Sequence, residues 1–317
     1  MLLAICILSL VYFPYMKFYD SALINTKMLV IEKNIPELED LDSYLQNKES
    51  AFPNLRKGLG KSITWNDPKN KQQTEYAFIY MPGFTATRKE IAPVVENLAT
   101  QFKANSFFSR LPSHGEEAND YSNARTEEFF ETAMEAVTIG NKLGKKPIFI
   151  GLSTGATVLQ YVLNKTQQGF AFVGMSPAFY TGSHYMNVSL NPWLGHSLVK
   201  LIVGDQYKWV GKFKDQDLYW NTTYNTDIIP HITRVFQIAS NEDYTKLKIP
   251  YFLLYNPKDT VADPALMLEK WEQANNPMNK SMSLESRDSH VIVGDITSPE
   301  NTDKVVNEIA QWIQSLH

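Results

Sequence analysis

The chain has 317 residues, 44% apolar and 20% charged, a balance that supports a buried core and excludes wholesale disorder. At about 100–200 residues per domain, this length fits one large domain or two small ones. The 30 Lys and Arg against 34 Asp and Glu leave a net charge of −4, so no basic face for nucleic acid is implied, and the single cysteine, Cys6, excludes an internal disulfide and a thiolate metal cluster.

Residues 1–20 stand apart. Met1 to Met16 reads MLLAICILSLVYFPYM, with no charge before Lys17. That run is shorter than the ~20 apolar residues of a membrane span and suits a signal-peptide core. No Lys or Arg precedes it and no A-x-A-like site follows it, while Tyr12, Phe13, Tyr15, Phe18 and Tyr19 resemble an interfacial aromatic belt. Two readings stand, an export signal or an uncleaved membrane anchor. The alternative is a buried first helix of a cytoplasmic protein.

Downstream, strand and helix patterns alternate. Residues 62–66 read as an edge strand, and 75–81 (EYAFIYM) as a strand ended by Pro82-Gly83. Helical spacing of Ile91, Val94, Val95 and Leu98 predicts a helix over 88–102. A strand over 105–111 ends at Pro112. A helix over 126–143 carries Phe129, Phe130, Ala133, Val137 and Ile139 on one side, with Gly144 as its C-terminal cap; Thr126 opens it without capping-box spacing. The run 147–152 (PIFIGL) is almost wholly apolar, as in a sheet buried on both faces. A helix over 154–164, strands at 169–174 and 249–255, a helix near 264–274, a strand at 281–286 and a helix over 302–316 follow. This alternation predicts an α/β fold with a mostly parallel sheet and helices on both faces.

Residues 178–248 break the pattern. The segment is rich in rings, among them Phe179, Tyr207, Trp209, Phe213, Trp220, Tyr224, Phe236 and Tyr244. So long a connection in a compact domain reads as a partly helical insertion over one end of the sheet. Its rings either pack it against the core or line an apolar acyl pocket.

Gly151-Leu152-Ser153-Thr154-Gly155 fits G-x-S-x-G at the junction of a buried strand and a helix. That junction is the strand–turn–helix in which a serine hydroxyl projects at the C-terminal edge of a sheet. A serine hydroxyl needs a base, and the base needs a carboxylate. Of the histidines at 114, 184, 196, 231, 290 and 317, His290 directly follows the last strand, whereas His184, His196 and His231 fall in the insertion and His317 is the terminal residue. The carboxylate belongs on the loop after 249–255. Asp259 lies four residues beyond that strand; Asp263 is the near alternative and Asp288 a more distant one.

From about Glu75 to the end the chain resembles an α/β-hydrolase. It is most similar to the branch of monoglyceride lipases, carboxylesterases and serine aminopeptidase-like hydrolases. The resemblance rests on Pro82-Gly83-Phe84-Thr85 against the family's H-G-F-T loop, on Leu111-Pro112-Ser113-His114-Gly115 against its L-P-G-H-G loop, on the elbow at 151–155, and on Asp259 paired with His290. It implies a core of residues 21–177 and 249–317, with a cap or lid insertion over 178–248 after the sixth strand of that fold. It further implies Ser153 as nucleophile, His290 as base, Asp259 as the acid, the backbone N–H groups of Phe84 and Thr154 as an oxyanion hole, and His114 as a structural loop residue. Pro82 in place of histidine, Ser113 in place of glycine and Ala156 after the elbow depart from the family pattern.

No cofactor or metal is implied: HExxH, CxxC, Walker A and G-x-G-x-x-G patterns are absent. Asn187, Asn221 and Asn279 fit the N-x-[ST] glycosylation pattern. The expected activity is hydrolysis of small-molecule carboxylic esters, of monoacylglycerol or lysophospholipid type, with membrane association through residues 1–20 on the anchor reading. A peptidase or thioesterase of the same fold shares the triad. A non-catalytic ligand-binding homologue is the third reading.

Overall fold

The computed structural model describes residues 23–116, 124–179 and 200–316. The readings for residues 1–20, for His184, His196, His317 and Asn187, and for rings at 180, 185 and 193 lie outside the described residues.

In chain order the strands are β1 (Ser62–Thr64), β2 (Thr74–Met81), β3 (Asn105–Phe108), β4 (Gly144–Leu152), β5 (Ala171–Met175), β6 (Gln206–Lys208), β7 (Thr223–Asn225), β8 (Tyr251–Tyr255) and β9 (Lys280–Ser283). The helices are α1 (23–34), α2 (Leu41–Ser50), α3 (Val94–Phe102), α4 (Thr126–Leu143), α5 (Thr154–Thr166), α6 (Gln216–Tyr219), α7 (Ile228–Ser240), α8 (Pro264–Gln273) and α9 (Thr302–Ser315).

The main sheet runs β1-β3-β2-β4-β5-β8-β9, antiparallel only at β1. The period-2 alternation of the central strands feeds two cores. From β2, Ala77, Ile79 and Met81 enter one core with α2, α4, α5 and α7, whereas Phe78 and Tyr80 enter the other with α3 and α9. β8 splits the same way, Tyr251 and Leu253 against Phe252 and Leu254. Burial on both faces is why these strands read as unbroken apolar runs. Among the described residues no helix is long and apolar enough to cross a membrane.

The structure shifts several expected boundaries. Helix α3 begins at Val94 rather than at 88, because Pro93 disfavours helical backbone at Ala92 and residues 84–93 form turns instead. Helix α4 opens with half of a capping box, counted from Arg125: Glu128 Oε2 accepts the Arg125 N–H at 2.9 Å, while the Glu128 N–H goes to the Arg125 carbonyl at 3.2 Å because a guanidinium has no acceptor. Gly144 is not a left-handed cap. It is extended (φ −144°) and opens β4 directly, and a Cβ there would come within 2.6 Å of Ala77 Cβ, so glycine lets β4 abut β2.

The chain leaves the sheet after β5, the fifth strand among the described residues rather than a sixth, because the described residues ahead of β1 hold α1 and α2 and add no strand to the edge. Between β5 and β8 the described residues hold the β6–β7 hairpin, helices α6 and α7, a helical segment at 200–203 and a 3-10 turn at Tyr244–Lys246. Helix α7 buries Ile228, Ile232, Val235, Phe236 and Ala239, a regular helical stripe that Pro230 obscures in the sequence; at the third helical position its missing N–H has no partner to lose.

One buried ion cluster ties α2 and the segment ahead of β1 to this frame. Glu135 on α4 accepts from Lys48 Nζ at 2.7 Å and Tyr44 Oη at 2.8 Å, and from Lys61 Nζ. Burial alone would push its carboxyl up, but Lys61 and Lys48 outweigh it and hold the group at about 2. Its stabilising contribution is therefore complete above the ordinary carboxylate range and lost as pH falls toward about 2. Glu135→Ala strands two cations, one of them largely buried, and is expected to lower unfolding free energy in urea at neutral pH by about 3–5 kcal/mol. An unchanged midpoint would mean that the cluster contributes nothing net.

Candidate active site

The site is built on the turn between β4 and α5. Ser153 there has φ +52° and ψ −121°, a strained conformation for a residue with a side chain. The turn is held from both sides: the Ser153 N–H donates to the Met175 carbonyl at 2.9 Å, and the Ser153 carbonyl accepts from the Thr157 N–H at 3.0 Å. Glycine is required by close approach at both ends. A Cβ on Gly151 would lie 2.6 Å from the Ala156 backbone, and one on Gly155 would overlap the carbonyls of Met81 and Pro82. Ala156, a departure noted in the sequence, thus packs against a bare glycine.

His290 and Asp259 reach this turn from the loops after β9 and β8. His290 Nε2 lies 2.8 Å from Ser153 Oγ, and His290 Nδ1 lies 2.7 Å from Asp259 Oδ2. With the proton on Nδ1 donated to the carboxylate, Nε2 is free to accept from the serine hydroxyl. The Asp259 side chain is fully buried, and its Oδ1 accepts the N–H groups of Val261 (2.7 Å) and Ala262 (3.1 Å). The other candidate carboxylates are engaged elsewhere. Asp263 caps α8 through the Ala265 N–H at 2.9 Å, and Asp288 Oδ1 accepts the N–H groups of His290 and Val291, each at 2.9 Å. His231 sits on α7, with Nδ1 3.2 Å from Thr126 Oγ1, not beside Ser153.

Phe84 and Thr154 both border the cavity in front of Ser153. Thr154 is the first residue of α5, so its N–H has no carbonyl a turn earlier to bond. The loop carrying Phe84 is fastened residue by residue. The Gly83 N–H donates to Glu90 Oε1 at 2.5 Å, and the Tyr80 hydroxyl donates to the same oxygen at 2.5 Å. Thr85, at φ +69°, donates its N–H to His114 Nε2 at 2.9 Å, and its carbonyl accepts the Asn221 N–H at 2.7 Å. His114 Nδ1 in turn donates to the Pro112 carbonyl at 2.8 Å. Burial, with Arg110 nearby, pushes His114 down to about 3, so it is neutral and can accept from Thr85. Ser113 adopts φ +60°, which is why a glycine suits that position.

Sequence reasoning missed Glu90, Asn221 and Arg56. The Asn221 side chain is buried, its Oδ1 accepting from Gly115 N–H (2.9 Å) and Arg56 (3.1 Å) while its Nδ2 donates to the Glu116 carbonyl at 2.7 Å. Its glycosylation pattern thus coincides with an internal strap. Asn279 is likewise occupied, donating to the Ala274 carbonyl at 2.6 Å and accepting the Tyr251 N–H at 2.9 Å.

The cavity measures about 440 Å³ and is walled by Phe84, Tyr207, Trp209, Trp220, Tyr224 and Phe236 together with the elbow. Two other described rings of the β5–β8 connection pack outside the cavity wall. Phe179 stacks edge-on with Tyr244 at 5.8 Å, and Phe213 lies under Arg287 at 5.0 Å. The two readings of that aromatic segment therefore divide by residue.

No family model matches the sequence, and no curated protein does. Solved structures do. A metagenome-derived lipolytic enzyme aligns at 12% identity, over 82% of this chain and 99% of its own, with a TM-score of 0.67. A soluble variant of monoglyceride lipase from Saccharomyces cerevisiae aligns at 12% identity, over 80% and 90%, at 0.61. A monoacylglycerol lipase from Paleococcus ferrophilus aligns at 14%, over 81% and 98%, at 0.60. At such identities the likeness is one of architecture: the chain has the α/β-hydrolase fold.

Asn221→Ala removes three side-chain hydrogen bonds, two of them buried and the third, part-buried, from a guanidinium. The expected loss is about 2–4 kcal/mol of unfolding free energy in urea. Produced in a glycosylating secretory host, the wild-type protein is expected to carry no glycan on Asn221, which peptide mass spectrometry would read.

Proposed function

We propose that the chain is a serine hydrolase that cleaves carboxylic esters through an acyl-enzyme. The observation that carries this reading is the continuous hydrogen-bond chain from Ser153 Oγ through His290 to the buried Asp259, opening onto an aromatic-walled cavity. In this reading Ser153 Oγ attacks the acyl carbonyl as His290 Nε2 takes its proton. Asp259 keeps the imidazole in the required tautomer and stabilises the imidazolium. The tetrahedral oxygen is received by the N–H groups of Thr154 and Phe84, donors of a kind whose individual loss costs about 3–4 kcal/mol of transition-state stabilisation. His290 protonates the departing alkoxide, and water then repeats the sequence on the acyl-enzyme.

Residues 178–248 act as a cap on the core formed by 21–177 and 249–317, and the rings of 207–236 favour an apolar acyl group. A monoacylglycerol or lysophospholipid type of ester fits that wall, and a segment at 1–20 acting as an export signal or anchor would bring the enzyme to such substrates. The lipolytic and monoglyceride lipase names of the structural relatives agree with this choice.

The test is turnover of 4-nitrophenyl esters from acetyl to palmitoyl, beside an acyl thioester and an aminoacyl anilide. Ser153→Ala and His290→Ala are expected to lower ester turnover by at least about a thousandfold with unchanged circular dichroism, and Asp259→Asn by up to about ten-thousandfold. Asp263→Asn, which touches only a helix cap, should leave rates unchanged. Val261→Trp, at the half-exposed cavity rim, should slow long-chain esters selectively. Near-wild-type rates for Ser153→Ala on every substrate would refute the reading, and a preference for the thioester or the anilide would move the substrate class.

A further inference from the structure

The cavity wall beside the oxyanion loop is held from outside the site. Residues 51–61, between α2 and β1, reach it through the side chain of Arg56. An isolated antiparallel bridge between Leu55 and Glu116 lays this segment along the loop that carries His114, and the Arg56 N–H donates to the Gly115 carbonyl at 2.9 Å. The partly buried guanidinium then crosses to the β5–β8 connection. Its Nη1 donates to the Leu218 carbonyl at 3.1 Å and to the Trp220 carbonyl at 3.3 Å. Its Nη2 donates to Asn221 Oδ1 at 3.1 Å, and its Nε returns to the Gly115 carbonyl at 3.3 Å. Leu218 and Trp220 stand at the C-terminal end of α6, where carbonyls have no partner within the helix. A planar fork of N–H donors meets these acceptors together, which an ammonium on a flexible stem cannot.

Both ends of this contact bear on the proposed reaction. Trp220 is buried and walls the cavity in front of Ser153. Asn221 holds the Thr85 carbonyl through its N–H at 2.7 Å, and Thr85 follows Phe84, whose N–H is the proposed oxyanion donor. Thr87, on the same loop, donates its hydroxyl to the Tyr219 carbonyl at 2.9 Å. Residues 218–221 are therefore a strap, bonded to the oxyanion loop on one side and to Arg56 on the other.

We propose that Arg56 is a positioning residue for the reaction: it sets the Trp220 wall against the acyl chain and, through Asn221 and Thr85, the Phe84 amide against the oxyanion. The inference rests on the serine-hydrolase reading above. Without the guanidinium, the Leu218 and Trp220 carbonyls lose that donor, and Asn221 Oδ1 is left with the Gly115 N–H. The strap then shifts at two points, and each shift has its own kinetic signature. Moving Trp220 changes a surface that only a long acyl chain touches, which alters KM for that chain. Moving the Phe84 amide weakens a contact realised only in the transition state, which lowers kcat for every ester.

The experiment is steady-state hydrolysis of 4-nitrophenyl acetate and 4-nitrophenyl octanoate by wild type, Arg56→Ala and Arg56→Lys, with rates expressed per site that a fluorophosphonate labels at completion. In that labelling Ser153 Oγ bonds to phosphorus, fluoride leaves and the serine proton passes to His290, so unfolded molecules drop out of the count. Acylation and deacylation both pass through an oxyanion, so whichever step limits kcat reports the Phe84 amide. Arg56→Ala is expected to lower kcat on both esters by about tenfold, and to raise KM for the octanoyl ester at least about threefold more than for the acetyl ester. Arg56→Lys keeps the charge without the fork and should show the same pattern at smaller size; it decides the matter should Arg56→Ala not fold. Per-site kcat and KM that match wild type, with only the urea midpoint lowered, would overturn the proposal, as would equal KM changes for the two esters. A folded wild-type protein that the fluorophosphonate does not label would overturn the serine-hydrolase reading itself, and this proposal with it.

Discussion

The strained peptide at Ser153 is the constraint on which the rest of the site depends. Its φ of +52° turns the chain from β4 into α5 within one residue and leaves the hydroxyl at the edge of the sheet. That turn exists only because helix α5 can press against the carbonyls of Met81 and Pro82, which Gly155 allows. The strain is local, of the order of 1–3 kcal/mol, and a helix buried along its first three turns in one core sustains it. The parallel strand order then does the remaining work. With β2, β4, β8 and β9 all pointing the same way, the loops bearing Phe84, Ser153, Asp259 and His290 leave the sheet at one edge and converge.

Around the serine, positions are fixed by buried polar contacts rather than by packing alone. Thr85 is gripped at both ends of its peptide, by His114 on one side and by Asn221 on the other. Asn221 belongs to the β5–β8 connection, so this segment, whose rings line the cavity, is bonded to the loop that carries Phe84 and Thr85. Each such group would be costly to leave unpaired, which makes the arrangement unique rather than merely stable. His114 contributes by being neutral: a charged ring could not accept from the Thr85 amide.

Much of this was legible in the sequence, for physical reasons that can be named. Strands buried on both faces must be apolar throughout, so EYAFIYM and PIFIGL announce themselves, and a glycine pair around a serine at a strand's end marks the elbow. Chain order and loop position pointed to His290 and to Asp259 with Asp263 and Asp288 as alternatives, and only the fold brings Asp259 against His290. What escaped is non-local or disguised. Glu90 is an isolated acid on a turn, and nothing near it in sequence shows that Tyr80 and Gly83 will close on it. Asn221 wore the pattern of a surface glycosylation site. Helix α7 hid its stripe behind Pro230, and β6 and β7 are too short and too polar to stand out. The edge strand β9, with its polar KSMS, reveals itself only by position after β8.

The central claim is that Ser153 is an activated nucleophile, and the most direct measurement is the stoichiometry and location of a fluorophosphonate adduct on the folded protein, read by intact-mass and peptide mass spectrometry. The account predicts one adduct per chain, on Ser153, absent from Ser153→Ala and strongly slowed in His290→Ala. A folded, unlabelled wild-type protein, or an adduct on a different residue, would contradict it.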